Sequence, residues 1–137
     1  MNVVNSCLLC STNLESHSHL FFQCSFSSTL WYGAWNKVSV SGISNNLDDI
    51  VAWFNLNVQG KSSRSLLMRS ILAAAVYLIW RERNLRFSQG KTLHVELLAL
   101  QLVNSIRDFL SSRRGVRPSA RNKALAGSWN LPRCIFS

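Results

Sequence analysis

Apolar residues recur at helical spacing in four stretches of the chain, and polar or Ser/Gly-rich segments separate these stretches. The pattern predicts helices over residues 25–38, 48–56, 63–87 and 92–113. Serines or an asparagine stand where the first three helices would begin, and such residues cap helices well. The predicted apolar faces are Phe26, Leu30, Ala34 and Val38; Leu47, Ile50, Val51 and Phe54; and Val95, Leu98, Leu102, Ile106 and Phe109, widened by Leu93, Leu97 and Leu100.

The third of these helices is predicted to be central. Residues 71–80 are apolar without a break, so we expect neighbouring elements to contact this stretch on every side. The run is about half as long as the ~20 apolar residues that a membrane span needs. Gly90 suits the turn that ends the helix, and the fourth helix should return antiparallel to the third. A membrane partner is therefore not expected.

The charge of the chain is strongly basic and unevenly placed. Its formal net charge is +9, although only 15% of the residues are charged. A basic balance favours polyanionic partners, chiefly nucleic acid or an anionic membrane surface, but a fragment of a basic polyprotein would also show it. From residue 111 the sequence SSRRGVRPSARNKALAGS contains no acid, which predicts a flexible basic tail over residues 111–137.

Three of the four cysteines and a histidine follow the spacing C-x2-C-x8-H-x4-C, through Cys7, Cys10, His19 and Cys24. Three thiolates and one imidazole are a common ligand set for tetrahedral Zn²⁺. Residues 1–5 do not resemble a signal peptide, so we expect reduced thiols, which favours a metal over disulfides. His17 is the alternative histidine ligand.

The spacing also predicts local structure. A tight turn between Cys7 and Cys10 lets both sulfurs face one ion. Five residues of α-helix rotate by about 500°, so His19 and Cys24 would not share a helical face, and we expect a loop or bend between them. A helix beginning near Cys24, with Ser25, Ser27 or Ser28 as its cap, would direct amide donors to that thiolate. A short β-hairpin within residues 1–22 is compatible with this pattern.

The same residues carry a family resemblance. The motif C-x-x-C, then ESHSHLFFxCxFS, then Trp31, resembles the zinc-binding domain that follows reverse transcriptase in plant LINE-type (non-LTR) retroelement polyproteins. Cys7, Cys10, His19 and Cys24 match its ligand positions, which favours His19 over His17. The matching residues around them are Glu15, Leu20, Phe21, Phe22, Phe26 and Trp31, and a looser similarity at residues 79–87 involves Trp80, Arg83, Asn84 and, one position early, Phe87.

This resemblance implies a structural zinc and a module that assists template or target engagement by a neighbouring polymerase. It also implies truncation at the N-terminus, because the domain in that family begins well upstream of its C-x-x-C. The resulting division is a zinc-binding module over 1–38, a helical region over 39–110 and a basic linker or tail over 111–137. The expected fold class is mostly α, with about four helices and a small irregular zinc loop in front.

The chain offers no recognisable catalytic constellation. It lacks the paired aspartates of a polymerase, a glycine-rich phosphate loop and a G-x-S-x-G elbow. Asp48 and Asp49 are adjacent, but acids in a first helical turn usually complement the helix dipole. Cys24 with His17 or His19 could be a nucleophile–base pair, yet a zinc site explains the same residues with fewer assumptions. Four protein ligands leave no open position for a substrate, so the sequence predicts a protein that is not an enzyme.

Nucleic acid, RNA or DNA, is the expected partner beside the neighbouring reverse transcriptase domains, and no small-molecule substrate is expected. Trp31 and Trp35 stand four apart, which fits a core or partner-facing pair better than a platform for stacked bases. The basic residues at helix ends or in a linker could equally be solvated side chains. The candidate phosphate contacts are Arg81, Arg83, Arg86, Arg113, Arg114, Arg117, Arg121 and Lys123.

The leading functional hypothesis is therefore a non-catalytic zinc module that assists nucleic-acid binding. A helical protein–protein docking fragment is the main alternative, and a degenerate retroelement remnant without activity is another. Steep salt dependence would distinguish nucleic-acid binding from apolar docking. An intracellular location is expected, and the basic tail could serve as a nuclear localisation signal.

Overall fold

The structure, a computed structural model, describes residues 6–37, 40 and 43–137 of the chain. Helices dominate it, as the sequence predicts, and five of them are α-helices. A five-residue π-helical turn, His19–Gln23, precedes the first, and a short 3-10 helix, Arg133–Phe136, follows the last. The α-helices are α1 (Ser25–Lys37), α2 (Leu47–Asn57), α3 (Ser63–Gln89), α4 (Val95–Ser111) and α5 (Ala120–Ser128).

The four predicted helices are confirmed, and their ends differ from the prediction by a few residues. The side chain of Asn46 accepts hydrogen bonds from the amides of Asp48 and Asp49, which caps α2 as expected. The hydroxyl of Ser62 caps α3 in the same way, through the amide of Ser65. The predicted face of α1 is buried at Leu30 and Ala34, while Val38 lies outside the described residues.

Helix α3 is the longest element and packs against α1, α4 and α5. Ile71, Ala75 and Ile79 are fully buried along one side. The expectation of contact all round is wrong, because Tyr77 and Trp80 are 60% and 47% exposed. Neighbours cover only part of the helix surface. Length and hydropathy alone would let α3 span a membrane, but its buried face fits the core helix of a globular domain equally well.

The apolar faces of α2 and α4 are narrower than the pattern predicts. On α2, Ile50 is buried, whereas Leu47 and Val51 are exposed, because this helix touches the core along a single edge. On α4 the buried stripe follows strict four-residue spacing and ends at Leu110 instead of Phe109, which is 44% exposed. The residues of α4 that were predicted to widen this stripe, Leu97 and Leu100, are also exposed.

A stack of aromatic rings joins the π-helical turn to α1. The rings of Phe22 and Trp31 lie 5.4 Å apart, and those of Trp31 and Trp35 lie 5.5 Å apart. Both tryptophans are 5% exposed, and Trp35 also contacts Phe54 of α2. They therefore belong to the core and are neither partner-facing nor a base-stacking platform.

The C-terminal segment is folded, which corrects the expectation of a flexible tail. Its middle part, Ala120–Ser128, forms α5, and Trp129 and Ile135 are 2% and 3% exposed. The carbonyl of Trp129 accepts a hydrogen bond from Arg107 of α4, and Lys37 of α1 lies over the indole ring. The apolar residues after the basic stretch supply the buried surface that a solvated linker lacks. The division at residues 38 and 110 stays a prediction.

Two glycines in different conformations give a matched test of this architecture. Gly90 ends α3 at φ 64°, and a Cβ there would meet nothing within 4 Å, so any cost of Gly90→Ala comes from backbone strain alone. We expect a loss of about 1–2 kcal/mol in the free energy of unfolding. Gly33 lies inside α1 with equally open space, and Gly33→Ala should stabilise by about 0.5–1 kcal/mol. Urea unfolding measures both, and equal shifts would contradict the assigned end of α3.

Candidate metal centre

The first two predicted ligands lie in a tight turn at the front of the described chain. The amide of Ser11 donates to the carbonyl of Cys7, and the amide of Cys7 donates to the carbonyl of Asn13. Ser11 has φ 60°, which turns the chain back sharply after the C-x2-C pair. An isolated antiparallel bridge between Ser6 and Leu14 closes the turn, and it is the only β pairing among the described residues of the segment where a short hairpin was compatible with the pattern.

A π-helical turn, and not a loop, separates His19 from Cys24. Residues His19–Gln23 form a π-helical turn, and the amide of Cys24 donates to the carbonyl of His19 at 2.7 Å. This hydrogen bond spans five residues, one more than in an α-helix. A wider turn brings residues five apart onto the same side, so residues 20–23 need no loop, and the chain leaves helical geometry only at Cys24, at φ −59° and ψ 139°. Of the predicted loop or bend, the loop is therefore wrong, whereas the bend at Cys24 and the helix that begins at Ser25 agree with the prediction.

The π-helical turn is fastened to the start of α1. Ser27 and Ser28 were candidate caps, but their hydroxyls instead donate to the carbonyls of Leu20 and Phe22. The indole nitrogen of Trp31 donates to the carbonyl of Phe21 at 2.5 Å. These bonds satisfy carbonyls that a π-helical turn leaves without their own partners. They also fix where His19 and Cys24 lie relative to α1.

The four predicted ligand side chains meet at one point. Their ligand atoms all lie within 4.8 Å of one another. The sulfurs of Cys7 and Cys24 are 3.8 Å apart, and Cys10 Sγ lies 3.3 Å from His19 Nε2. A tetrahedral zinc site, with Zn–S of about 2.3 Å and Zn–N of about 2.0 Å, places two sulfurs about 3.8 Å apart and sulfur and nitrogen about 3.5 Å apart. The residues present therefore fit a zinc ion.

The electrostatic environment of the sulfurs is uneven. Burial raises the pKa of Cys24 to about 12, and the nearby Cys7 and Cys10 act in the same direction, while the amides of Phe26 and Ser27 oppose them. Those two amides are the helix-start donors expected for this thiolate. Around Cys10, burial is outweighed by hydrogen bonds from Thr12, Asn13 and His19, which lower its pKa to about 5. A cation between the sulfurs offsets the cost of burying thiolates together.

His17, the alternative ligand, is exposed and lies outside this cluster, and Cys134 is exposed near the other end of the chain. His94 is also exposed, and its ring accepts the amide of Glu96 at the start of α4, as a surface residue would. Among the described residues, the only group that could hold a metal is Cys7, Cys10, His19 and Cys24.

The arginines at the end of α3 hold in place the turn that contains Cys7 and Cys10, the cysteine turn. Arg83 pairs with Glu15 at 2.9 Å. Arg86 pairs with the buried Glu82 at 3.2 Å and donates to the carbonyls of Leu8 and Leu9, between the two cysteines of the turn. Glu15 and Glu82 were not predicted to have this role. The sequence signal for Glu15 was its place within the zinc motif.

The remaining predicted phosphate contacts fall into two places. Arg81 donates to Gln101 of α4 at 2.5 Å. The other candidates lie in and after the α4–α5 loop, and all of them are exposed: Arg113, Arg114, Arg117, Arg121 and Lys123.

The fold and the site together define a small helical protein with a four-ligand zinc-type centre at its front. The sequence model of one family, described as zinc-binding in reverse transcriptase, matches residues 1–31. The match contains all four ligand residues and ends at Trp31, in α1. A search of curated proteins and a search of solved structures found no significant match.

Proposed function

We propose that this chain is a non-catalytic zinc-binding module from the polyprotein of a plant LINE-type retroelement, and that it assists nucleic-acid binding by the neighbouring reverse transcriptase. The observation that carries the proposal is the convergence of three thiols and one imidazole within the segment that the family matches. The family match supports the reverse transcriptase origin, and the motif resemblance around Cys7 and Trp31 supports the element type.

The zinc would be structural. A catalytic zinc keeps one position for water or substrate, whereas four protein ligands close the coordination sphere. Cys7, His19 and Cys24 are also buried, which leaves little access for a reactant. The ion would hold the cysteine turn, the π-helical turn and the start of α1 together. A zinc ion in this structural role takes no part in catalysis, which is why the module is proposed to be non-catalytic.

The charge of the chain supports a nucleic-acid partner. The net charge of +9 is concentrated in part between residues 113 and 123, where the chain has no acid. Polyanion binding by such a surface releases condensed counterions, so its affinity depends strongly on salt. The polymerase partner would supply the catalysis, and this module would supply additional contact with the template or target.

Salt-titrated binding of the zinc-loaded chain tests the proposal. If the basic residues neutralise about five phosphates of a DNA duplex, the logarithm of the association constant should fall with the logarithm of salt concentration with a slope of about −4.5. Fluorescence anisotropy with a labelled duplex measures this slope. Absence of binding at about 50 mM salt, or an affinity that salt leaves unchanged, would contradict a nucleic-acid role.

An exposed apolar surface favours a second candidate, docking onto another protein. Tyr77, Trp80 and Phe87 are 60%, 47% and 73% exposed on α3, and Leu97 and Leu100 are exposed on α4. Large apolar side chains that are exposed together often mark a surface that binds another protein. Docking through them would persist at high salt, which distinguishes it from phosphate binding. A chain that shows neither activity would fit a degenerate remnant.

A further inference from the structure

The folded C-terminal segment creates a cleft that the sequence did not predict. The cleft has a volume of ≈ 550 Å³ and lies between the loop before α3 and the loop that joins α4 to α5. Both helices that follow these loops begin at its wall, α3 at Ser63 and α5 at Ala120. It is separate from the metal centre, whose ligands lie in residues 7–24.

Positive charge is concentrated in this cleft. Lys61 lies on one side, and the arginines of the α4–α5 segment lie on the other. No acidic residue lines the cleft among the described parts of the chain. Both ion pairs that the described residues form are elsewhere, at Arg83 and Arg86. The basic residues that line it are Lys61, Arg113, Arg114, Arg117 and Arg121.

Hydrogen bonds fix the conformation of the α4–α5 loop, which forms one wall of the cleft. The amide of Gly115 donates to the carbonyl of Ser137 at 2.8 Å, and the amide of Val116 donates to the carbonyl of Ile135 at 2.9 Å. The side chain of Asn122 donates to the carbonyl of Arg117, and this bond fixes the approach to α5. Because the loop is already ordered, little further conformational entropy is lost when a ligand binds.

We infer that this cleft binds the sugar–phosphate backbone of a nucleic acid, without reading its sequence. The inference rests on the proposed function and assigns the phosphate contacts of that function to this cleft. Guanidinium groups bind phosphate oxygens bidentately, and several of them around one concavity suit a polyanion better than a single small anion. The positive ends of α3 and α5 add to the same field. Lys61 thereby joins the contact residues, whereas Lys123 lies outside the cleft.

The test compares two variants of the full, zinc-loaded chain that lose the same charge. Lys61→Gln with Arg117→Gln removes one cation from each side of the cleft. Lys91→Gln with Arg133→Gln removes one exposed lysine and one exposed arginine outside it, and Lys91 stands beyond the opposite end of α3, about 40 Å from Lys61. All four side chains are exposed, so both variants should keep the helicity of the parent, which circular dichroism checks.

The cleft variant should bind a short DNA duplex about 30-fold more weakly at about 0.15 M salt, since each of the two phosphate contacts contributes about 5.5-fold there. The slope of log affinity against log salt should become shallower by about 1.8 on duplex, or by about 1.4 on single-stranded RNA of equal length. The control variant should lose much less. A charge-conserving variant, Lys61→Arg with Arg117→Lys, should retain binding.

Each other outcome has a distinct meaning. Equal weakening of the cleft and control variants would overturn the cleft and leave the proposed function in place, because binding would then follow net charge alone. No binding by the parent chain to either nucleic acid would overturn both the cleft and the proposed function. Loss of binding in the charge-conserving variant would overturn the assignment of the contact to charge.

Discussion

Replacing Cys24 with serine should abolish stoichiometric zinc binding and remove the stabilisation that zinc provides. Cys24 is fully buried, its sulfur lies 3.8 Å from that of Cys7, and its amide closes the π-helical turn. A serine hydroxyl is a much poorer ligand than a thiolate for Zn²⁺. At free zinc about 1,000-fold above the dissociation constant, the parent chain should gain about 4 kcal/mol of apparent stability, and Cys24→Ser should gain almost none.

Thermal unfolding with and without zinc measures this difference, and Cys134→Ser is the matched control. Cys134 is exposed and lies outside the cluster, so its removal should leave both zinc content and zinc-dependent stability unchanged. His17→Ala should also retain zinc, because His17 lies outside the cluster. Equal zinc content in Cys24→Ser and Cys134→Ser would contradict the assigned ligands.

Replacing Arg86 with alanine should cost about 3–5 kcal/mol in the free energy of unfolding, because it leaves the buried Glu82 without its ion-pair partner. Glu82 is 3% exposed and would retain only the amide of Leu93. The carbonyls of Leu8 and Leu9 would lose their donor as well. Arg86→Lys should recover only part of the loss, since one ammonium cannot reproduce a planar guanidinium that bonds several acceptors.

The control is Arg69→Ala, on the same helix. Arg69 is exposed and donates to the carbonyl of Gly60, so its removal should change stability by about 0.5 kcal/mol or less. Urea unfolding of the zinc-loaded proteins measures both values. Arg86→Ala with the stability of Arg69→Ala would mean that Arg86 is a solvated side chain, as the alternative interpretation of the sequence held.

The parts of the fold that the sequence predicted are those with a local cause. Asn46 and Ser62 mark helix starts through hydrogen bonds within three residues, so the boundaries of α2 and α3 could be inferred from sequence. The clustering of Cys7, Cys10, His19 and Cys24 could also be inferred, because their residue types and spacing are those of a zinc ligand set. The position of α5 could not be inferred in this way. Trp129, which follows α5, is buried and its carbonyl binds Arg107, 22 residues earlier, and no local pattern reveals that contact.

The errors around the metal centre have a physical origin. A five-residue interval excludes one face of an α-helix, but it fits the hydrogen bond of a π-helical turn, which is rare enough to be overlooked. The α3 arginines show a second limit. Their charge was visible in the sequence, whereas only the fold shows that Arg83 pairs with Glu15 and that Arg86 binds Glu82 and the carbonyls of the cysteine turn. Lys61 gave no signal, because only the fold brings its loop opposite Arg117.

The central claim is that Cys7, Cys10, His19 and Cys24 hold one zinc ion in a closed site. X-ray absorption at the zinc edge of the purified, zinc-loaded chain tests it most directly. The predicted first shell contains three sulfurs at about 2.3 Å and one nitrogen at about 2.0 Å, with one zinc per chain. A shell of oxygen or nitrogen ligands alone, a position open to water, or no retained zinc in a folded chain would contradict the account.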